Sequence, residues 1–446
     1  MVTVSPYKID VPQEVIDDLW ERLHRTRWPD EVAGTGWRRG CDLSYMKELV
    51  KYWIDEYDWR NQETALNQHN HYQGNVDGLN IHFLHEKGKG PNPMPLFMMH
   101  GYPWSFTMLL RILPMLTDPE AHGGDPEDAF TVIVPSIIGF GFSEYPMETG
   151  FGFQHHPQKY DKLMTEGLGY QRYGIEGGDW GGFITAPYGF LCPENLIGIH
   201  LNCLFPRLGD EREPEEKDPN ILRGLGMKWA PLKPTDPDML WYWKNVERYW
   251  IDEGAYCHQQ MTRPQTLSLA ISDSPVGMAA WIIEKWRAWS GWGGDFEKLF
   301  PRDMIITNVM LYWVTNSFWS AIRLYSESYC HPWELMPGAR IEVPTAVAAY
   351  PNWHQLFVNG QKDTIMLSIS TSTQKVGISR STRELKKCLL IYANSFVLLG
   401  EKNFFYPEGQ LGNCHIASSD SVSCRFLILP CKFNRSVDLK AQREPL

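Results

Sequence analysis

The sequence lacks the short patterns that mark several protein classes. Its 446 residues contain no CxxC pair, no HExxH and no P-loop, and its nine Cys have no repeated spacing, which disfavours a zinc site, a nucleotide-binding P-loop and a disulfide framework. No run of about eighteen apolar residues occurs, as a membrane span would require. The N-terminus has no basic region followed by an apolar run. We therefore expect a soluble, cytoplasmic protein without a membrane anchor.

Positive charge is also scarce. The chain has 42 Lys and Arg against 53 Asp and Glu, which gives a net charge of -11. Nucleic acids and anionic lipids attract basic surfaces, so neither is an expected partner. Hydrophobic residues form 43% of the chain, enough for a large core, and the length favours two or three modules.

The segment Tyr173–Tyr188 carries the first chemical signal. Its sequence is YGIEGGDWGGFITAPY, in which Asp179 has a small residue two positions before it and another two positions after it. This spacing permits a tight strand-to-helix turn, the nucleophile elbow, which lifts the central side chain out of the sheet. The next backbone N–H, on Trp180, can then point at a developing oxyanion. An Asp that caps the following helix, predicted as far as Pro187, is the alternative that this motif alone leaves open.

Strand-like patterns lead into two further glycine-rich turns. Leu79–Glu86 alternates like a strand, and the apolar run Leu96–Met99 ends at His100–Pro103. A third apolar run, Phe130–Pro135, ends at Gly139–Glu144, a loop that lacks the third Gly of a dinucleotide fingerprint and fits a pocket-shaping role better. Buried strands that each end in such a turn predict a parallel α/β sheet, with its ligand site at the carboxyl ends of the strands.

Helices are predicted on both sides of this region. Asp10–Pro12 suits the cap and first turn of a helix through about Arg25, with an apolar stripe of Val15, Leu19 and Leu23. A second helix is indicated by Met46, Leu49, Val50, Trp53 and Tyr57, and we expect this N-terminal segment to lie across the outside of a larger body. Aromatic residues from Trp229 to Trp289 predict a helical cap over the sheet, in which most of them are core.

The three turns together resemble a known superfamily. HGxP, GxGxS and GxDxG, in this order, are typical of the α/β-hydrolases, and the versions HGYPWSF, GFGFSE and GGDWGG resemble the epoxide hydrolases of the microsomal type. The resemblance extends from Pro6 to about Asn352. It implies an α/β-hydrolase fold with a mostly parallel central sheet, a helical cap and an N-terminal helical meander.

The resemblance also implies a division of the chain. The meander would occupy residues 1–75, with an extension to about 115 as the alternative, and the first part of the core 76–205. The cap would be 206–330 and the return strand of the core 331–352. Residues 353–446 form an atypical tail, for which disorder is one interpretation.

A mechanism follows from the same resemblance. Asp179 would attack a carbon of a small apolar epoxide, and the hydroxyls of Tyr256 and Tyr325 would bind and protonate its oxygen. Water would then hydrolyse the ester to a diol, without a metal or organic cofactor. Detoxification or catabolism of aromatic hydrocarbons is the implied role. The sequence carries no signal for the oligomeric state.

Backbone donors would hold the oxyanion of the second step. One would be the N–H of Trp180, and the other the N–H of Tyr102 or Trp104 in the HGYPW loop. The Tyr102–Pro103 bond is a candidate for the cis form.

Haloalkane dehalogenases are the runner-up, because they also join an HGxP loop to an Asp-Trp elbow. Trp180 cannot separate the two families. Tyr256 and Tyr325 favour the epoxide, since an alkoxide must be protonated whereas a halide leaves without a proton.

The C-terminal part departs from the family pattern. The family places an acid shortly after the return strand and a histidine in a GGHF-like motif beyond it, but here the strand is followed by Asn352 and no GGHF occurs. All 19 Trp lie at or before Trp353, whereas four of the nine Cys follow it. His354 lies too early in the chain to be the base. His415 is the candidate general base, with Asp363 as the nearest acid.

Two alternatives follow from this departure. In the first, the chain is a degenerate hydrolase that binds apolar epoxides or similar ligands, or is alkylated once and stalls. The alkylated form would stall because an ester should persist when no base activates water. The other alternative is that the tail results from a changed reading frame or an unspliced segment.

Overall fold

The computed structural model describes residues 2–202, 240–290, 296–333, 341–349 and 365–369. Within these ranges nine strands form one sheet in the order β1-β2-β3-β5-β4-β6-β7-β8-β9. The strands are β1 Thr3–Pro6, β2 His71–Val76, β3 Leu79–Glu86, β4 Met94–Met99, β5 Phe130–Pro135, β6 Tyr173–Gly177, β7 Leu196–Leu201, β8 Thr345–Ala349 and β9 Ile365–Ile369. The five central strands, β5, β4, β6, β7 and β8, run parallel, and antiparallel strands flank them on both sides. This confirms the predicted α/β fold with a central parallel sheet.

The centre of the sheet brings two of the predicted turns together. Strands β4 and β6 are parallel neighbours, and Met99 at the end of β4 pairs with Gly177 at the end of β6. Every residue of β5 is buried, as is typical of a parallel strand covered on both faces. The HGYP turn after β4 and the elbow after β6 therefore start side by side.

The N-terminal segment contains three helices, α1 Gln13–His24, α2 Leu43–Asp55 and α3 Trp59–Leu66. Two details of the predicted α1 were wrong. Its N-cap is Pro12 without a side-chain hydrogen bond, so Asp10 does not cap it. Its buried stripe begins at Ile16 rather than Val15. Positions 16, 19 and 23 lie within about 30° of one line along the helix, whereas positions 15 and 23 lie about 80° apart around it.

Three helices lie in the segments that connect the central strands β4 to β7. They are α4 Leu113–Thr117, α5 His156–Lys162 and α6 Trp180–Leu191. Helix α6 starts immediately after the elbow. The sequence predicted its end near Pro187, but the helix continues to Leu191. The packing of α6 against β6 and β7 offsets the loss of the backbone hydrogen bond that Pro187 cannot donate.

Seven helices form the described part of the cap: α7 Leu240–Glu253, α8 Ala255–Thr262, α9 Pro264–Ile271, α10 Pro275–Trp289, α11 Phe296–Leu299, α12 Arg302–Val314 and α13 Phe318–Cys330. No single helix of the described ranges has the length and apolarity of a membrane span. Only α9 and α10 together meet that test, and they are bent by 119°.

The N-terminal helices pack against the cap, with α1 on α10 and α2 on α10 and α12. The hydroxyl of Tyr57 lies 3.0 Å from Thr307 Oγ1, and that of Tyr52 donates to Asp303 Oδ1 at 2.8 Å. Tyr57 and Thr307 are both buried, so the contact between these two residues belongs to the core. The cap is thus braced from outside by the start of the chain.

Candidate active site

Asp179 occupies a sharp bend between β6 and α6. Its backbone has φ 52° and ψ −123°, a conformation that non-glycine residues rarely adopt. A Cβ on Gly177 would lie 2.3 Å from the carbonyl of Gly181, and one on Gly181 would lie 2.6 Å from the carbonyl oxygen of Met99. The bend therefore accepts no larger side chain at either position, which is the steric requirement predicted from the sequence.

Two backbone N–H groups hold the Asp179 carboxylate. The Tyr102 N–H donates to Oδ1 at 2.8 Å, and the Trp180 N–H also donates to the carboxylate. The Trp104 N–H instead donates to the carbonyl oxygen of Gly101 at 3.0 Å, within its own turn. Of the two loop donors considered from the sequence, Tyr102 is the one that reaches Asp179. The Tyr102–Pro103 peptide bond is cis, as predicted.

The cap fixes the loop that carries Tyr102. Asn308 Nδ2 on α12 donates to the carbonyl oxygen of Pro103 at 2.9 Å, and the hydroxyl of Tyr312 donates to that of Trp104 at 2.7 Å. His100 Nε2 accepts from the N–H of Ile137 at 3.1 Å. No local pattern in the sequence predicts the two anchors from α12, because they join segments about 200 positions apart.

Tyr256 on α8 and Tyr325 on α13 meet beside Asp179. Their ring centroids are 6.1 Å apart, and the Tyr102 ring lies 6.1 Å from Tyr256 and 5.5 Å from Tyr325. The indole of Trp180 lies 4.6 Å from the Tyr325 ring. Both tyrosines are buried, while Asp179 keeps part of its surface accessible. The structure thus brings together the nucleophile and both phenols predicted from the sequence.

The loop Gly139–Glu144 positions the helix that carries Tyr325. Ser320 Oγ on α13 donates to the carbonyl oxygen of Gly139 at 2.6 Å, and the N–H of Gly141 donates to Ser317 Oγ at 3.2 Å. The glycine-rich loop predicted to shape the pocket therefore also acts on the site through α13.

The protonation states of these groups suit nucleophilic attack. Burial raises the pKa of Asp179 to about 6, although the hydrogen bonds from the N–H groups of Tyr102 and Trp180 lower it. Burial, together with the charge of Asp179, also raises the pKa of Tyr256 and of Tyr325 well above the ordinary value. At neutral pH the site accordingly holds an ionised carboxylate next to two protonated phenols.

The predicted base His415 and its acid Asp363 lie outside the described residues, as does His354, which the sequence disfavoured as a base. No histidine in the part of the chain that the structure describes hydrogen-bonds Asp179. His100, the first residue of the HGYP turn, uses Nε2 as an acceptor, and burial lowers its pKa to about 4. Across the same ranges no three His, Cys, Asp or Glu side chains are grouped as metal ligands.

Comparison with known proteins identifies the family. Residues 4–109 match the family model described as the epoxide hydrolase N terminus. A putative epoxide hydrolase of Stigmatella aurantiaca is 38% identical over 348 residues, which cover 78% of this chain and 74% of that protein. The chain belongs to the epoxide hydrolase family. Epoxide hydrolase 1 of Oryctolagus cuniculus is another relative, 34% identical over 78% of both chains.

Solved structures agree with this assignment. The juvenile hormone epoxide hydrolase of the silkworm Bombyx mori superposes with a TM-score of 0.62 at 27% identity, covering 78% of this chain and 81% of the other. The Aspergillus niger epoxide hydrolase gives 0.63 at 26% identity, with coverage of 79% and 87%. The resemblance to epoxide hydrolases with an α/β-hydrolase fold is confirmed, and epoxide hydrolases are hydrolases that act on ether bonds.

Proposed function

We propose that this epoxide hydrolase opens a small apolar epoxide by attack of Asp179, with Tyr256 and Tyr325 bonding the epoxide oxygen. The observation that carries the proposal is the convergence of an ionised carboxylate and two protonated phenols around the Tyr102 ring. A strained ring with a poor leaving group needs attack from one side and a proton donor on the other.

The first step forms an ester. Because the Tyr102 N–H holds Oδ1 of Asp179, attack is assigned to Oδ2. The new bond joins Oδ2 to a ring carbon while that carbon's bond to the epoxide oxygen breaks. The electron pair moves to the epoxide oxygen, which receives a proton from one of the phenols, Tyr256 or Tyr325.

The second step releases a diol. Water attacks the carbonyl carbon of the ester, and its proton passes to a general base. The resulting oxyanion, derived from Oδ1, rests on the N–H groups of Tyr102 and Trp180. Collapse breaks the bond between that carbon and the alkoxy oxygen, which takes the proton back from the general base. The remaining proton of the Asp179 carboxyl passes to the phenolate left by the first step, which restores the carboxylate and the phenol.

His415 is proposed as the general base, with Asp363 as its acid. In a second candidate function, the protein forms the Asp179 ester but does not hydrolyse it. It is favoured by the lack of a GGHF motif and by the lack of a histidine bonded to Asp179 within the described ranges. We further propose a cytoplasmic location. A role in detoxification or aromatic hydrocarbon catabolism is also proposed, and the aromatic surroundings of the site support an apolar substrate.

Halide release is the less favoured reaction. The relatives reported above are epoxide hydrolases, and two buried phenols have no role in the departure of an unprotonated halide. A haloalkane should therefore leave Asp179 unmodified under conditions in which an epoxide reacts.

The test uses the full-length protein and styrene oxide in water enriched in ¹⁸O. Diol in amounts that exceed the enzyme, with ¹⁸O in the Asp179 peptide after repeated turnover, supports hydrolysis. A stable alkyl adduct on Asp179 without diol supports the stalled form. Asp179→Asn is the control, and neither product from folded wild-type protein overturns the proposal.

A further inference from the structure

Tyr102 brings a third hydroxyl into the site. Its backbone N–H holds Asp179, while its ring lies parallel to that of Tyr256, with 6.1 Å between the centroids and 4° between the planes. The side chain is completely buried. Burial raises the pKa of Tyr102 well above its ordinary value, and the charge of Asp179 raises it further. Tyr102 therefore presents a protonated hydroxyl one side chain away from the nucleophile.

A buried amide lies beside this hydroxyl. Gln260 follows Tyr256 by one turn of α8 and is completely buried. Its Oε1 accepts a hydrogen bond from the indole N–H of Trp281 on α10 at 3.1 Å. The same N–H lies close enough to the Tyr102 hydroxyl to offset part of the rise in the pKa of that phenol. The Tyr102 hydroxyl and the Gln260 amide thus converge on one indole N–H.

Both groups carry donors without an acceptor. An indole N–H only donates, so the Gln260 atom that faces Trp281 is the amide oxygen, and the two N–H bonds of the amide point elsewhere. Among the residues that the structure describes, neither Gln260 Nε2 nor the Tyr102 hydroxyl has a hydrogen-bond acceptor. Unsatisfied buried donors are unfavourable, and polar groups that converge beside a nucleophile are typical of those that orient a ligand.

The chemistry of the two donors defines the group that they would bind. Because both donate, a cationic group is excluded, and the charge of Asp179, which acts on the Tyr102 phenol, disfavours an anion. A carbonyl oxygen is uncharged and has two lone pairs, so it can accept from the hydroxyl and the amide together. A saturated hydrocarbon in the same place would leave both donors unsatisfied.

We propose that the Tyr102 hydroxyl and Gln260 Nε2 form a specificity subsite for a carbonyl oxygen on the chain attached to the epoxide ring. The inference rests on the function proposed above and narrows its substrate class to apolar epoxides that also carry an ester or a ketone. The Trp281 N–H fixes the orientation of the amide. The subsite acts on binding and selectivity and takes no part in the proton transfers at the epoxide oxygen.

The test compares epoxides of equal chain length with and without a carbonyl group. Glycidyl butyrate and its isomer 3,4-epoxybutyl propanoate carry the carbonyl at two distances from the ring, and 1,2-epoxyoctane is the hydrocarbon reference. Single-turnover mixing at low substrate concentration, with the adduct on Asp179 quantified by mass spectrometry, gives the ratio of each carbonyl epoxide's rate to that of the reference. Comparison of this ratio between wild type and variants cancels the intrinsic reactivity of the epoxides.

Two variants each remove one donor. Gln260→Met removes the amide at similar size and should lower the ratio about tenfold for at least one carbonyl epoxide, because the carbonyl loses a donor and the hydrocarbon no longer leaves one unsatisfied. Tyr102→Phe keeps the backbone N–H that holds Asp179 and should lower the same ratio, which provides a second test if Gln260→Met folds poorly. A ratio that neither variant changes, even when all three rates fall equally, overturns the inference.

The matched control is the preceding residue of the same helix. Gln259 is half-buried and donates through Nε2 to the carbonyl oxygen of Arg263 at 3.2 Å, so Gln259→Met should leave the ratio unchanged. An equal fall in this control would assign the effect to α8 as a whole and also overturn the inference. If folded wild-type protein reacts with neither styrene oxide nor these epoxides, the proposed function and this inference fail together. If it reacts but the ratio does not respond to Gln260 or Tyr102, only this inference fails.

Discussion

The backbone N–H of Tyr102 donates a 2.8 Å hydrogen bond to Oδ1 of Asp179. In the mechanism proposed above, the oxyanion site is therefore already formed around one oxygen of the resting carboxylate. After alkylation of Oδ2, the same donor would polarise the carbonyl of the ester towards water without any rearrangement. One backbone contact would thus set the direction of attack in the first step and stabilise the charge in the second.

The first prediction concerns the pH dependence of ester formation. The attacking group must be ionised, and burial raises the pKa of Asp179 to about 6. The rate of adduct formation should rise through that pH and then stay level, because the pKa values of Tyr256 and Tyr325 are well above 10. Rapid mixing with styrene oxide between pH 5 and 9, with circular dichroism as a check on folding, measures the profile. A rate already at its maximum at pH 5 would contradict it.

The second prediction concerns the stability of Asp179→Asn. The pKa of this carboxyl is about 6 in the folded protein against 3.8 ordinarily, so the folded state binds the extra proton. This contribution is complete below the ordinary pKa and is lost as the pH rises through about 6. At pH 8 the Asn variant should therefore be more stable by about 1–3 kcal/mol.

Asn also tolerates a positive φ, so the elbow should survive this change. Denaturant unfolding at pH 8 and at pH 4 measures the difference, which should shrink at the lower pH. A variant less stable than the wild type at pH 8 would show that the elbow needs the carboxylate.

The third prediction compares two glycines on neighbouring strands. Gly177→Ala places a methyl group 2.3 Å from Gly181, whereas Gly198→Ala places one at an ordinary 3.5 Å from the carbonyl oxygen of Pro344. The first change should displace Asp179 and reduce adduct formation more than a hundredfold, as about 1 Å of misplacement does in active sites. The second should leave the rate within about twofold of the wild type. Equal rates for the two variants would rule out the steric account of the elbow.

The fourth prediction concerns the two phenols of the site. Tyr256→Phe and Tyr325→Phe each remove one proposed donor to the epoxide oxygen, so each should slow ester formation by about 10²–10⁴-fold. Binding of an unreactive apolar analogue should change little, because the rings remain. Single-turnover rates and equilibrium binding separate the two effects. Loss of analogue binding with an unchanged rate of ester formation in the bound complex would assign the hydroxyls to substrate binding.

The sequence predicted the parts of the structure that local sterics determine. The spacing of Gly177, Asp179 and Gly181 indicated the elbow, because only small residues allow that bend. Burial of the central strands followed from their apolar runs. The pairing of Tyr256 with Tyr325 depended on the family resemblance, since aromatic residues on helices are core residues in most proteins.

Other features left no local signal. Strand β1 is four residues long, ends at Pro6 and is mostly exposed, so nothing in its composition separates it from a loop. The hydroxyls of Tyr249 and Tyr256 lie 3.3 Å apart because the chain turns at Gly254 between their two helices, a contact that no local pattern predicts. The pKa of Asp179 depends on how completely the folded chain removes water from it.

The bracing of the cap by the start of the chain constrains how variants of this enzyme can be engineered. A cap exchanged between relatives would lose the partners of Asp303 and Thr307 unless the exchanged portion also carried Tyr52 and Tyr57. Chimaeric enzymes built on this fold should therefore take the first three helices and the cap from the same parent protein.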